Sequence, residues 1–164
     1  MIDKERRGLV TSLSSVIKGE KADEVKIVRP PYAPDASLFQ TLCPACETKA
    51  CAKVCEEEII VIREDGTPEL TFAQKGCTFC DKCADACEPG VLSDKSLHFI
   101  HANIEIDVLK CVAWHQVMCH SCKDPCLDDA IRFLGLFRPE IEADRCTGCG
   151  WCLPVCPTGA IKIV

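Results

Sequence analysis

The chain has 164 residues, a formal charge of -6 and a pI of about 5.2, the length of one domain or of two very small ones. The acidic balance, with no basic patch above background, argues against nucleic acid as the main partner. Sixteen cysteines, about one residue in ten, exclude a fold held by ordinary core packing alone, and apolar runs such as 59–62 fall far short of the about 20 residues that cross a bilayer.

Positive charge gathers at the start, in Lys4, Arg6, Arg7, Lys18, Lys21, Lys26 and Arg29, within a segment 1–40 that reads as an N-terminal arm. Residues 8–17 are broken by Thr11, Ser12, Ser14 and Ser15 and form no apolar core of an export signal, although the Arg6, Arg7 pair raises the twin-arginine route as an alternative. The expectation is a reducing cytoplasm, where clustered thiols act as metal ligands rather than disulfides. The arm, with Arg6 and Arg7, is a candidate for partner contact; a solvated tail is the plainer reading.

The first cysteine run follows, Cys43, Cys46, Cys51 and Cys55, with the spacing C-x2-C-x4-C-x3-C. Two more residues than usual lengthen its loop, which still wraps a metal cluster. Residues 56–77 then alternate, turn at Asp65 and Gly66, and alternate again, the pattern of a hairpin. The second run, Cys77, Cys80, Cys83 and Cys87, has the compact C-x2-C-x2-C-x3-C form. Three thiolates on such a loop reach three irons of one cubane, while the fourth, carried off on the following helix, points at a second cubane.

Residues 101–111, HANIEIDVLKC, alternate ahead of the third run, Cys111, Cys119, Cys122 and Cys126. Seven residues part its first two cysteines, so this site is the one expected to be labile or incomplete. A further hairpin is expected within 127–145. The fourth run, Cys146, Cys149, Cys152 and Cys156, is compact again, and the closing GAIKIV is a strand able to pair with the one ahead of Cys111.

No cysteine is left over from four groups of four. Zinc is the competing reading, because four-cysteine zinc sites also use C-x2-C, but they bring two such pairs from separate hairpins rather than three cysteines within seven residues. The fold class is therefore α+β: tandem bacterial-type two-cluster ferredoxin units, 41–100 and 101–164, with short helices and small antiparallel hairpins around 4Fe-4S clusters, four being expected. Pairing adjacent runs assigns Cys43, Cys46, Cys51 and Cys87 to one cluster, and Cys55, Cys77, Cys80 and Cys83 to the next. Cys111, Cys119, Cys122 and Cys156 form the third set, and Cys126, Cys146, Cys149 and Cys152 the fourth. A nested arrangement, first run with fourth and second with third, stays open.

With every set complete, His98, His101, His115 and His120 have no ligand vacancy to fill, and His120 is expected to hydrogen-bond a sulfur or lie at the surface. Trp114 and Trp151 are expected to pack against cluster loops and exclude water. Gly148 and Gly150 read as turn material rather than a phosphate cradle. No constellation suggests hydrolysis or group transfer, so the chain reads as an electron carrier without a catalytic residue. Four oxidised cubanes bring the charge to roughly -14, which calls for a positive docking face on the redox partner protein.

Several stretches together resemble the NapF ferredoxin-type proteins encoded with periplasmic nitrate reductases: ERRGLV, RPPYAPDASLFQTLC, CTFCDKCADACEPGVLS, the long third run ending KDPCLDDAIRF, and CTGCGWCLPVCPTGAI. The resemblance covers essentially the whole length, and the third run and the RPP lead-in are its most specific parts. It implies a cytoplasmic protein that contacts the molybdenum-containing catalytic subunit of the nitrate reductase before export and helps it mature, by supplying electrons or assisting assembly of its iron-sulfur cluster. The longer first run departs from the family's usual compact form and is also met in electron-transfer subunits of membrane oxidoreductases.

Overall fold

The computed structural model describes residues 27–164; Arg6 and Arg7 lie outside the described residues. Between and after the cysteine runs, short stretches that alternate along the chain become strands. Ile60–Ile62 (β1) and Pro68–Leu70 (β2) pair antiparallel, Ile60 opposite Leu70 and Ile62 opposite Pro68. The expected turn closes them: Gly66 sits at φ +77°, a conformation open to glycine without steric cost, and Asp65 Oδ1 accepts from the Thr67 amide at 2.9 Å.

The second half repeats the pattern. Ile104–Ile106 (β3) is followed by Ile131–Phe133 (β4) and Pro139–Ile141 (β5), which form their own hairpin, and by Ile161–Ile163 (β6). β6 pairs antiparallel with β3, Ile104 opposite Ile163 and Ile106 opposite Ile161, so the two ends of segment 101–164 are tied together as the alternating stretches suggested.

Helices are short and confined to the first half: Leu38–Thr41 (α1), Ala50–Lys53 (α2) and Lys82–Asp85 (α3). The expectation that each run leads its fourth cysteine away on a helix holds for Cys55 after α2 and Cys87 after α3. It does not hold for Cys126 and Cys156, which follow turns. The difference lies in Pro125 and Pro154, which stand between the third and fourth cysteines of their runs and have no N–H for the i to i-4 bond. In the first half Val54 and Ala86 make that bond, to Ala50 and Lys82. In the second half one such bond forms, Asp124 N–H to His120 O at 3.4 Å, but Pro125 cannot add the next, and the chain goes on with i to i-3 bonds, Cys126 N–H to Lys123 O at 3.0 Å and Leu153 N–H to Gly150 O at 3.1 Å. A 3-10 turn at Val112–His115 occupies the long gap of the third run.

One apolar core spans both halves, uniting Ile59, Leu70 and Phe72 with Ile100, Ile104, Ile131 and Ile161. A smaller cluster joins Tyr32 and Phe39 to Ala84, Val91 and Leu92. The described end of the segment read as an arm is thus packed: Tyr32 and Phe39 are each 1% exposed, and Arg29 donates to Thr67 Oγ1 and to Pro68 O at 2.7 and 2.6 Å.

Candidate metal centres

α2 packs against α3 and β1, and the cysteines of the first half gather around two cavities. Cys43, Cys46, Cys51 and Cys87 line the first (site I), and Cys55, Cys77, Cys80 and Cys83 the second (site II). In the second half Cys111, Cys119, Cys122 and Cys156 line site III, while Cys126, Cys146, Cys149 and Cys152 line site IV. Each set takes three cysteines from one run and one from the adjacent run, the grouping that adjacent pairing expects rather than the nested one. α2 shows the local reason: Cys51 faces site I, and Cys55, just past the helix end, faces site II.

Sulfur atoms in these sets meet donors. The Phe79 amide donates to Cys77 Sγ at 3.4 Å, and the Leu92, Ala130 and Ala160 amides donate to the last cysteines of their runs, Cys87, Cys126 and Cys156, at 3.4, 3.3 and 3.2 Å. Three hydroxyls lie two residues after a cysteine and within reach of its sulfur: Thr48 at 3.6 Å from Cys46, Ser121 at 3.7 Å from Cys119 and Thr158 at 3.7 Å from Cys156. These hydroxyls went unread in the sequence, although the recurring Cys-x-Thr/Ser spacing carries the signal. Lys49 is a second such residue: it comes with the lengthened first loop, lines site I, and donates from Nζ to Cys43 O and Gly66 O at 2.6 and 2.7 Å.

Burial pushes the Cys83 and Cys152 thiols up to about 12, and those of Cys51, Cys77 and Cys122 up to about 11, with neighbouring thiols adding to the effect. Cys46 goes the other way because the Thr48 hydroxyl bonds its thiolate. At Cys156 burial is the largest single influence and raises the value, but hydrogen bonds from Thr158, Ala160 and Ile161 together outweigh it and the thiol ends lower than usual.

The histidines are engaged elsewhere. His98 meets the Tyr32 ring edge-on at 5.9 Å, His101 meets Phe99 at 5.0 Å, and His115 Nε2 lies 3.1 Å from Leu109 O. His120 is exposed and lies on the Phe133 ring, centroids 4.5 Å apart; at that site Ser121 is the hydrogen-bonding neighbour of sulfur. Trp151 lines site IV and donates from Nε1 to Cys77 O at 3.0 Å, whereas Trp114 donates to Pro139 O at 3.3 Å beneath the Arg138 guanidinium. Gly148 and Gly150 are turn residues that also permit close approach. A Cβ on Gly148 would come within 2.2 Å of Ile100 O, and one on Gly150 within 2.3 Å of the Phe72 ring.

A 4Fe-4S cubane fits these donor sets. Four thiols surround one void, crowding that disfavours four thiolates is relieved by a positive iron core, and amide donors already point at sulfur.

Residues 139–162, which contain the fourth run, match the 4Fe-4S binding domain family. The whole chain is 34% identical to the ferredoxin-type protein NapF of Escherichia coli strain K12 over 164 residues, 98% of this chain and 94% of that protein. It is 38% identical to the ferredoxin-type protein NapF of Haemophilus influenzae over 162 residues, covering 96% and 89% of the two chains. It is 26% identical to the methylamine utilization ferredoxin-type protein MauM of Methylorubrum extorquens over 173 residues, covering 93% and 78%. With more than a third of positions identical over nearly the whole length of the chain, it belongs to the NapF ferredoxin-type family of iron-sulfur electron-transfer proteins.

Proposed function

We propose that the chain is a cytoplasmic polyferredoxin whose sixteen cysteines hold four 4Fe-4S cubanes, two in each half, 41–100 and 101–164. In this reading it carries single electrons, has no catalytic residue of its own, and serves maturation of the periplasmic nitrate reductase catalytic subunit before that subunit is exported. The observation that carries the cofactor reading is the gathering of four cysteines around each of four separate cavities. Full-length identity to NapF proteins supports the system in which it works. When bound, a cubane accepts and gives up one electron; the residues around it hold it, exclude water and set its potential through charge and hydrogen bonds.

Two measurements test the reading. Protein prepared without oxygen should be brown and contain about sixteen iron and sixteen sulfide per chain. Colourless protein with zinc and no acid-labile sulfide would leave a zinc-stabilised interaction module instead. The signal-bearing catalytic subunit should capture this chain from cells, and reductase made in its absence should be poorly active; normal activity there defeats the maturation role.

The likeness to MauM favours one second reading, an electron-transfer partner of a different oxidoreductase. That reading requires a stable stoichiometric complex, where maturation requires a transient one.

A further inference from the structure

The two halves meet beside two of the four sites. The Cys77 amide donates to Cys149 O at 2.7 Å, and Trp151 Nε1 donates back to Cys77 O at 3.0 Å. Gly76 makes that approach possible: a Cβ there would lie 2.6 Å from both the Trp151 backbone nitrogen and its Cγ, and 2.7 Å from Cys149 O. Phe72 against Gly150, and the Ile100 amide on Thr147 O at 2.8 Å, pin the same edge of the fourth run to the first half.

Cys77 belongs to site II and Cys149 to site IV, so a single hydrogen bond joins the backbones of two cysteines that line different sites in different halves. Sites I and III take no wall residue from this seam. None of Gly76, Cys77, Thr147, Cys149, Gly150 and Trp151 lines site I or site III, whereas Cys77 lines site II and Cys149, Gly150 and Trp151 line site IV.

Resting on the reading that the sites hold cubanes, we propose that the contact of Gly76 and Cys77 with Cys149 and Trp151 is the electron bridge between the halves. The sites then lie in the order I, II, IV, III, and the ends open to partner proteins are at the first and third cysteine runs. Electron tunnelling falls steeply with separation, so the sulfur-to-sulfur path that crosses one hydrogen bond is the route favoured over any between sites I and III. Each transfer moves one electron between neighbouring sites, one oxidised as the other is reduced, with no bond made or broken and no proton moved. Trp151 is a positioning residue here: it holds the Cys77 backbone at the seam and covers site IV.

The test uses the full chain loaded without oxygen. Iron and sulfide are counted first, and a parent chain without cubanes overturns the proposed function rather than this bridge. The double variant Cys46→Ala, Cys119→Ala leaves sites II and IV, one in each half. Its reduced spin-resonance spectrum should show a magnetically coupled pair, with split or broadened lines and fast relaxation. The converse variant Cys80→Ala, Cys146→Ala leaves sites I and III and should give two independent signals. Uncoupled signals from the first variant, or coupled ones from the second, overturn the bridge. Adding Gly76→Val to the first variant should weaken its splitting while cubane content is kept. Should the double variants fail to fold, the distances between iron centres in a crystal structure of the loaded parent chain decide: the shortest separation between halves must be that of sites II and IV, and any other nearest pair refutes the order.

Discussion

The Lys49 ammonium donates to the Cys43 carbonyl at 2.6 Å, which fixes a positive charge in the wall of site I. The residue exists there because the first run carries two more residues than its compact counterparts, and it enters α2 through a left-handed conformation at φ +46°. A cation beside a cubane favours the reduced, more negative state. Lys49→Met should therefore lower the potential of site I by about 1 kcal/mol, on the order of 40 mV for a one-electron couple, and leave the other sites unchanged. A redox titration followed by spin resonance reads the shift; an unmoved potential removes Lys49 from this role.

Thr48 and Thr158 place hydroxyls near Cys46 and Cys156. A hydrogen bond to sulfur stabilises the added electron, so Thr48→Val and Thr158→Val should each lower the potential of the adjacent site, by on the order of 40 mV if the bond contributes about 1 kcal/mol. Serine at either position should restore the parent value, because it keeps the hydroxyl. Loss of cubane from the valine variants, rather than a shifted potential, would show that the hydroxyls serve assembly instead.

Phe39 is 1% exposed, and the Arg29 guanidinium lies 5.4 Å from its ring centroid. If residues 27–40 are an integral part of the first half, Phe39→Ala should cost about 3–5 kcal/mol in unfolding of the loaded protein. Val61, 47% exposed on β1, is the control, and Val61→Ala should stay within about 0.5 kcal/mol. Equal stability of the two variants would return this segment to the status of a loose arm.

Loading with iron and sulfide should depend on pH with a definite sign. Burial keeps the Cys83 and Cys152 thiols protonated in the cluster-free chain up to about 12, above the ordinary value of 9.0, while ligation requires thiolate. Assembly must therefore release protons and become more favourable as pH rises through the neutral range. Iron retained against a chelator should be greater at about pH 8.5 than at about pH 6.5, and a dye should report acidification on loading. Retention that is flat or falls with pH contradicts ligation by these thiols.

Much of this protein is written in short-range pattern. Cysteine spacing marks the ligand groups because three thiols on one loop are held within reach of one another by the backbone itself, whatever the rest of the chain does. Alternation at 60–70 and 131–141 gives two hairpins, since period two puts one face of a strand toward the core, and Asp65 with Gly66 supplies a turn geometry few other residues accept. Even the missing helices of the second half were present in the sequence as Pro125 and Pro154, although the expectation of a helix after every run overlooked them.

What the tertiary structure alone decided is which distant residues meet. The sequence favoured pairing of adjacent runs and left the nested pairing open, because local spacing says nothing about which run supplies a fourth cysteine. Contacts across more than fifty residues, such as those of β3 with β6, bring the ends of 101–164 together and place Cys156 of the fourth run beside Cys111, Cys119 and Cys122 of the third. The approach of Gly76 to Trp151 is of the same kind: neither residue marks the seam in its own neighbourhood, and only the packing of two separately patterned halves brings Cys77 to Cys149.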